Sequence, residues 1–238
     1  MDFTNSRNFI TGAGSWLGSY VYRAIPCERW LRPYDKFPDG KFDYVIHFAQ
    51  SDIEPILDFT AKNDATLLFI SSGSVNNPDL DAKSNKLLQE EAVQKSGVDY
   101  RIARLYSFIG PGSPLRYAAA AFIDQALHGR PINVGNNGKS VRTYLYTEDM
   151  AKWLLTILAK GERKIYDVSG RTQVTMLELA RLVNRITGNK GIFIRDWEDN
   201  DIRPIYTPDR WRLMESLALG LDEWTNIEQA IERTVNAA

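Results

Sequence analysis

The sequence is poor in the residues that form disulfides and metal sites. Its 238 residues include one cysteine, Cys27, and two histidines, His47 and His128. One cysteine excludes an internal disulfide framework, and so few ligands predict no metal site. The chain also opens without the charged and apolar regions of a signal peptide, so together these features predict a cytoplasmic protein.

Long apolar runs and an excess of one charge are also missing. The longest apolar stretch, Tyr117 to Ile123, is too short to span a bilayer. The 29 Lys and Arg residues balance 30 Asp and Glu residues, which leaves no electrostatic footprint for nucleic acid. We therefore predict neither a membrane span nor a nucleic-acid partner. An apolar fraction of 44% is that of an ordinary globular protein and excludes a disordered chain.

Strand-like and helix-like segments alternate along the first half of the chain. Short β-type runs occupy residues 8–11, 42–46, 65–70 and 100–105. Helical spacing follows at residues 87–93, where Leu87, Leu88, Ala92 and Val93 form one apolar face, and later at 117–127, 148–159 and 176–186. This alternation predicts an α/β protein with a doubly wound, mainly parallel sheet of the Rossmann type.

The alternation becomes looser after residue 112, where a short strand-like run appears at 132–134. We predict a dinucleotide-binding domain over residues 1–112 and a smaller substrate-binding lobe over 113–238. Some segments of that lobe are expected to return to the first sheet, because crossover connections bring later strands beside earlier ones.

A glycine-rich turn follows the first strand and opens a helix. Glycine suits this position because the chain turns tightly and a pyrophosphate can approach the backbone at the helix N-terminus. A turn with a purely structural role remains the alternative. The residues predicted to contact the pyrophosphate are Gly12, Gly14, Ser15, Trp16, Leu17 and Gly18.

An acidic residue about twenty positions after such a turn often binds the adenosine ribose. Asp35 stands 21 positions after Gly14 and is the candidate, with a solvated loop aspartate as the alternative. Arg32 lies nearby and would suit a 2′-phosphate. The sequence therefore predicts NAD or NADP without deciding between them.

Seven segments, in order along nearly the whole chain, resemble one known family. They resemble the extended short-chain dehydrogenases/reductases, the NAD-dependent epimerase/dehydratase group that modifies nucleotide sugars. Residues 11–18 are similar to its Thr-Gly-x-x-Gly-x-x-Gly signature. The other similar segments are residues 47–50, 71–75, 86–90, 104–112, 142–149 and the closing stretch 208–234.

The resemblance implies roles for individual residues. Ser72 would donate a hydrogen bond to the reacting substrate oxygen, and Lys86 would bind the cofactor ribose. His47, Phe48 and Ala49 would line the cofactor site. The alternatives are a strand-end cap for Ser72 and a solvated helix lysine for Lys86.

On the substrate side, the resemblance implies that Arg142 meets the diphosphate of a nucleotide sugar, which suits a bidentate guanidinium. Arg203 is a weaker second candidate. For each arginine the alternative is a surface ion pair.

The sequence departs from the family pattern in three ways. Ala82 stands where the family has its proton-transferring tyrosine, four residues before Lys86, and Ser15 replaces the middle glycine. The segment between Gly18 and Asp43 leaves little room for both a second and a third strand. Other acids that could replace the tyrosine are Tyr106, Tyr117 and Asp79.

Three functions are compatible with these features. The first is an NAD(P)-dependent epimerase, dehydratase or reductase acting on a nucleotide sugar. The second is a degenerate protein that binds a nucleotide or nucleotide sugar without turnover, as Ala82 suggests. The third is a redox-inactive regulatory or structural subunit. Family members often pair through two helices, so a homodimer using the helix that starts near Ala82 is possible.

Overall fold

The computed structural model describes residues 3–30, 36–76, 85–195, 205–220 and 225–238. The strands are β1 (Asn8–Thr11), β2 (Glu28–Trp30), β3 (Tyr44–His47), β4 (Thr66–Ser72), β5 (Asp99–Leu105), β6 (Ser107–Ile109), β7 (Ile132–Val134), β8 (Val141–Tyr146), β9 (Ile165–Val168), β10 (Gln173–Thr175), β11 (Ile192–Ile194) and β12 (Ile205–Tyr206). The helices are α1 (Trp16–Ala24), α2 (Glu54–Asn63), α3 (Lys86–Lys95), α4 (Ala118–Leu127), α5 (Thr147–Lys160), α6 (Met176–Thr187), α7 (Arg210–Leu217) and α8 (Ile227–Asn236).

The chain divides into two compact units that are not consecutive in sequence. The first comprises Met1–Leu105, Ala151–Val168 and Asp209–Asp222, and the second comprises Tyr106–Met150, Ser169–Pro208 and Glu223–Ala238. The N-terminal segment of the first unit thus ends at Leu105, and two later segments of the chain join it. The assignment of residues 1–112 to dinucleotide binding and 113–238 to substrate binding stays a prediction.

The first unit is built on a six-stranded sheet in the order β2-β1-β3-β4-β5-β9. All five neighbouring pairs are parallel, which confirms the predicted doubly wound, mainly parallel fold. Strands β1, β3, β4, β5 and β9 are mostly buried because helices cover a parallel sheet, whereas Glu28 and Arg29 of the edge strand β2 are exposed. Phe9, Val45 and Leu67 lie in one core cluster with Ile56 and Phe59 of α2.

The strand order reverses beside β1, whose neighbours are β2 on one side and β3 on the other. Ligands of open parallel sheets bind outside the carboxyl ends of strands at such a reversal. Thr11, the last residue of β1, pairs with His47, the last residue of β3. The carboxyl ends of β1 and β3 therefore lie side by side, and the glycine turn follows directly after the end of β1.

The second unit has β8 at its centre, pairing antiparallel with β10 and parallel with β6 and β12. A separate parallel pair joins β7 to β11. Helices α4, α6 and α8 supply a common core with Ile123, Leu179 and Ile231. Helix α6 begins with a capping box between Thr175 and Glu178, which satisfies two backbone donors of its first turn.

The side chains that helix α3 buries are not the ones that its amphipathic pattern predicts. Leu87 and Leu88, predicted on the core side, are 39% and 63% exposed, whereas Val93 is buried. The buried positions of the helix are instead Lys86, Glu90 and Val93. The prediction of an apolar face formed by both leucines was therefore wrong, and the reason is the charged network described below.

Within the described residues, no helix is both long enough and apolar enough to cross a membrane. In the same part of the chain, no group of three or more His, Cys, Asp or Glu side chains is arranged to hold a metal ion.

Candidate functional site at the carboxyl ends of β1, β3 and β4

The turn after β1 requires glycine at its first position. Gly12 has a φ of +72°, a backbone conformation that residues with a Cβ rarely adopt. A Cβ at this position would lie 2.7 Å from the backbone nitrogen of Ala49 and 2.9 Å from the carbonyl carbon of Phe48. Gly12 therefore lets the chain that leaves β3 pass directly against the turn.

The other two glycines of the turn have different surroundings. A Cβ on Gly18 would lie 2.4 Å from the carbonyl oxygen of Gly12, so the first turn of α1 packs tightly on the loop. A Cβ on Gly14 would meet no described atom within 4 Å. The turn is thus closed towards the protein at Gly12 and Gly18 and open at Gly14.

Ser15, which replaces the family's middle glycine, caps helix α1. Its Oγ donates to the Gly12 carbonyl oxygen at 2.8 Å and accepts from the Gly18 backbone nitrogen at 3.1 Å. The side chain is bonded within the turn, so the departure from glycine is accommodated locally. A serine just before a helical run is itself an N-cap signal that the sequence analysis did not use.

Replacing Ser15 with alanine is expected to lower the free energy of unfolding by about 1 kcal/mol, because one helix donor loses its cap. Urea unfolding of the purified variant measures this. The control is Ser19→Ala, since the Ser19 hydroxyl only bonds back to the Trp16 carbonyl oxygen inside the helix. Equal losses in the two variants would contradict the assigned cap.

His47 is fully buried at the end of β3 and is bonded to the strand that carries the turn. Its Nδ1 lies 2.7 Å from Thr11 Oγ1, which accepts from the Ala49 backbone nitrogen at 3.4 Å. The bond joins the last residues of β1 and β3 through their side chains. His47 thus acts as a neutral connection between the two chain segments that leave β1 and β3.

Burial, with a smaller contribution from the positive charge of Lys86, lowers the pKa of His47 from about 6.5 to about 3. The unfolded chain binds this proton near pH 6.5, whereas the folded chain does not until near pH 3. Acid therefore favours the unfolded state, and the stabilisation, complete above about pH 6.5, is lost as the pH falls towards 3.

The expected loss is about 1.4 kcal/mol of unfolding free energy per pH unit below about pH 6. Urea unfolding at several pH values measures the slope for the wild type and for His47→Asn, which carries no proton to bind. The variant should have the shallower dependence on pH. Identical slopes would show that His47 is protonated equally in the folded and unfolded chains.

Lys86, the first residue of α3, is buried and contacts β4. Its Nζ lies 4.7 Å from the centroid of the Phe69 ring, a cation–π contact. Phe69 in turn stacks on His47 with ring centroids 5.9 Å apart and planes at 13°. Lys86 and His47 therefore both contact the ring of Phe69, a residue that the sequence analysis did not single out.

Ser72 ends β4, next to β3 in the sheet. Its Oγ accepts from the Ser74 backbone nitrogen at 3.1 Å, at the start of a single 3₁₀ turn over Gly73–Asn76. This is the strand-end cap that the sequence analysis gave as the alternative role. Contact between the Ser72 hydroxyl and a substrate stays a prediction.

Arg142 belongs to the second unit and lies on β8. Its Nη1 donates to the Val141 carbonyl oxygen at 2.8 Å, and its guanidinium carbon is 5.9 Å from the Tyr206 ring centroid. Tyr206 packs on Tyr106 with centroids 5.1 Å apart. A guanidinium can bind a phosphate, and an adjacent tyrosine ring can stack on a planar base.

The remaining candidates divide into two groups. Tyr106 is buried, and Tyr117, half-exposed, precedes the first turn of α4. Asp35 and Arg203, with Arg32, Asp79 and Ala82, lie outside the described residues.

The parallel sheet with a glycine turn at its strand-order reversal defines a Rossmann-type protein. Residues 82–169 match the sequence model of the NAD dependent epimerase/dehydratase family. This match confirms the resemblance inferred from the motifs.

Two relatives from Arabidopsis thaliana illustrate the sequence similarity. A trifunctional UDP-glucose 4,6-dehydratase/UDP-4-keto-6-deoxy-D-glucose 3,5-epimerase/UDP-4-keto-L-rhamnose-reductase is 31% identical over 120 residues, which cover 48% of this chain and 17% of that enzyme. The chloroplast stem-loop binding protein of 41 kDa b is 29% identical over 153 residues, which cover 58% of this chain and 40% of the relative. The matched region thus spans less than half the length of either relative.

Solved structures extend the similarity in fold to nearly the whole chain. The epimerase Mth375 of Methanothermobacter thermautotrophicus has a TM-score of 0.79 at 16% identity, covering 99% of this chain and 92% of its own. The dTDP-glucose 4,6-dehydratase of Bacillus anthracis, solved with NAD, has a TM-score of 0.77 at 16% identity and covers 98% and 96%.

Proposed function

We propose that this protein is an NAD(P)-dependent enzyme that acts on a nucleotide sugar as an epimerase, dehydratase or reductase. The observation that carries the proposal is the turn after β1, which is packed at Gly12 and Gly18 and open at Gly14. It lies at the strand-order reversal, beside the chain that leaves β3.

The residues at this edge fit a dinucleotide. The open side at Gly14 leaves room for a pyrophosphate, and the backbone N–H groups of α1 supply partial positive charge. Lys86 would bind the nicotinamide ribose, and Asp35 the adenosine ribose. Phe48 and Ala49 would contact the coenzyme with backbone atoms. When bound, the dinucleotide supplies a hydride acceptor or donor.

The sugar and its nucleotide would be held by other residues. Ser72 would donate its hydroxyl proton to the reacting oxygen of the sugar. Arg142, beside Tyr206, would bind the diphosphate, with Arg203 as a second cation. The similar enzymes support this substrate class, since their names describe reactions of UDP- and dTDP-linked sugars.

A second candidate is a binding protein of the same fold without turnover. Ala82 carries no transferable proton where the resemblance places the catalytic tyrosine. One relative is likewise named for binding a stem-loop and not for a reaction. The exposed Leu87 and Leu88 of α3 support a homodimer for either candidate.

Calorimetric titration with NAD, NADH, NADP and NADPH tests the shared part of both candidates. The loaded protein is then incubated with UDP-glucose and dTDP-glucose, and the sugars are examined by NMR. Dinucleotide binding with a changed sugar supports the enzyme, whereas binding of both ligands with an unchanged sugar supports the second candidate. Absence of binding to all four dinucleotides would overturn the proposal.

A further inference from the structure

Helix α3 faces the sheet with charged residues. Lys86, Glu90 and Val93, spaced at four and three residues, are its buried positions, while Leu87 and Leu88 are exposed. A helix on a globular protein normally buries its apolar face. Something other than apolar burial therefore sets the rotation of this helix about its axis.

Glu90 supplies that contact through a paired interaction with β5. Its Oε1 accepts from Arg104 Nε at 3.0 Å, and its Oε2 accepts from Arg104 Nη2 at 2.7 Å. The Ser71 hydroxyl also donates to Oε1 at 2.5 Å. Both charged side chains are buried, and the two-pronged geometry fixes direction as well as distance.

Arg104 extends the same network to the turn after Ser72. Its Nη1 donates to Asn76 Oδ1 at 3.1 Å, and Asn76 is the last residue of the 3₁₀ turn that begins at Gly73. One guanidinium thus holds the helix that begins with Lys86 and the turn that follows Ser72. The ion pair between Glu90 and Arg104 therefore joins two of the family-like segments, residues 86–90 and 104–112.

We propose that Glu90 and Arg104 form a positioning pair that sets the placement of Lys86 and Ser72 for the dinucleotide and the sugar. The inference rests on the proposed function, since it concerns the same site. Neither side chain is assigned a chemical step. A buried ion pair is weak evidence for stability, because well-packed apolar residues of similar volume often replace it without loss. Apolar replacements would lack the directional hydrogen bonds of the Glu90–Arg104 pair, which fix the position of α3 relative to β5.

The decisive variant is the double substitution Glu90→Leu with Arg104→Met, which removes both charges together. We expect urea unfolding close to wild type and a dissociation constant for NADH raised about tenfold. Lys86 should also be acetylated faster by acetic anhydride, as measured by mass spectrometry, because its helix is no longer fixed. The matched control removes the exposed pair between α6 and α8 with Arg185→Met and Glu228→Leu, and should change neither NADH affinity nor the acetylation of Lys86.

A thermodynamic cycle separates positioning from general disruption. If the pair acts through Lys86, the double substitution should cost little further NADH affinity in a Lys86→Met background, whereas independent effects would add. Additive losses, or an unchanged affinity, would overturn the inference. Should the double variant not fold, Arg104→Lys serves instead, because lysine keeps the charge but lacks the planar fork that bonds both carboxylate oxygens of Glu90.

Failure of the proposed function would look different. If wild type binds no dinucleotide, the acetylation rate of Lys86 decides the inference alone. Faster acetylation in the folded variant keeps the pair as the device that places Lys86, and an equal rate overturns it.

Discussion

Glu90→Leu alone is expected to lower the free energy of unfolding by about 3–5 kcal/mol, because it leaves the Arg104 guanidinium buried without its carboxylate. Glu90 has no exposed surface and Arg104 is 6% exposed, so water cannot take over the missing interaction. The Ser71 hydroxyl would lose its acceptor at the same time. Urea unfolding of the single variants, compared with the double variant, measures the effect.

The comparison is informative because either single substitution should lower the free energy of unfolding more than the double substitution does. Arg104→Met should destabilise by a similar amount, since it leaves the Glu90 carboxylate buried and bonded only to Ser71. Restoring stability by removing the second charge would show that the cost comes from an unpaired ion. A decrease of less than about 1 kcal/mol in the free energy of unfolding of either single variant would contradict a buried ion pair between Glu90 and Arg104.

Gly14→Glu is expected to weaken NADH binding at least about 100-fold while leaving the fold intact. A Cβ at Gly14 would meet no described atom within 4 Å, and this glycine does not have a positive φ, so we expect the folded protein to tolerate glutamate there. In the bound state the added carboxylate would occupy the open side of the turn and repel a pyrophosphate. Calorimetric titration with NADH measures the loss.

The control places the same new charge on another exposed position of the first unit. Ala61, on the exposed side of α2, becomes glutamate, and NADH affinity should stay within about twofold of wild type. If Gly14→Glu binds NADH as tightly as Ala61→Glu, the phosphates do not lie at this turn.

Much of the first unit could be predicted because its signals are local. The runs at 8–11, 42–46, 65–70 and 100–105 are short, apolar and rich in β-branched or aromatic residues, and each overlaps an observed strand of the parallel sheet. The glycines at 12 and 18 were identified because tight turns restrict the residue type. The short strand β2 carries no such pattern and was not predicted.

Other features depend on contacts between distant parts of the chain. The pair Glu90 and Arg104 is 14 residues apart, and Thr11 and His47 are 36 apart, so neither pairing is visible in a local pattern. Hydropathy alone placed Leu87 and Leu88 in the core. It could not show that the Glu90 carboxylate pairs with the buried guanidinium of Arg104 on β5, so that α3 turns Glu90 and not the leucines towards the sheet.

The roles of Ser72 and Lys86 came from resemblance and not from spacing. The structure adds that Lys86 is buried over Phe69, which a solvated helix lysine would not be. Burial of Lys86 argues against the solvated alternative, and its binding of the cofactor ribose stays a prediction.

Amide chemical shifts of the ¹⁵N-labelled protein, recorded while NADH is added, test most directly whether α1 holds a phosphorylated coenzyme. We expect the largest shifts on the amides of residues 12–18, with further shifts at Phe48 and Ala49. Shifts confined to other segments, or no shift at a high NADH concentration, would contradict this expectation.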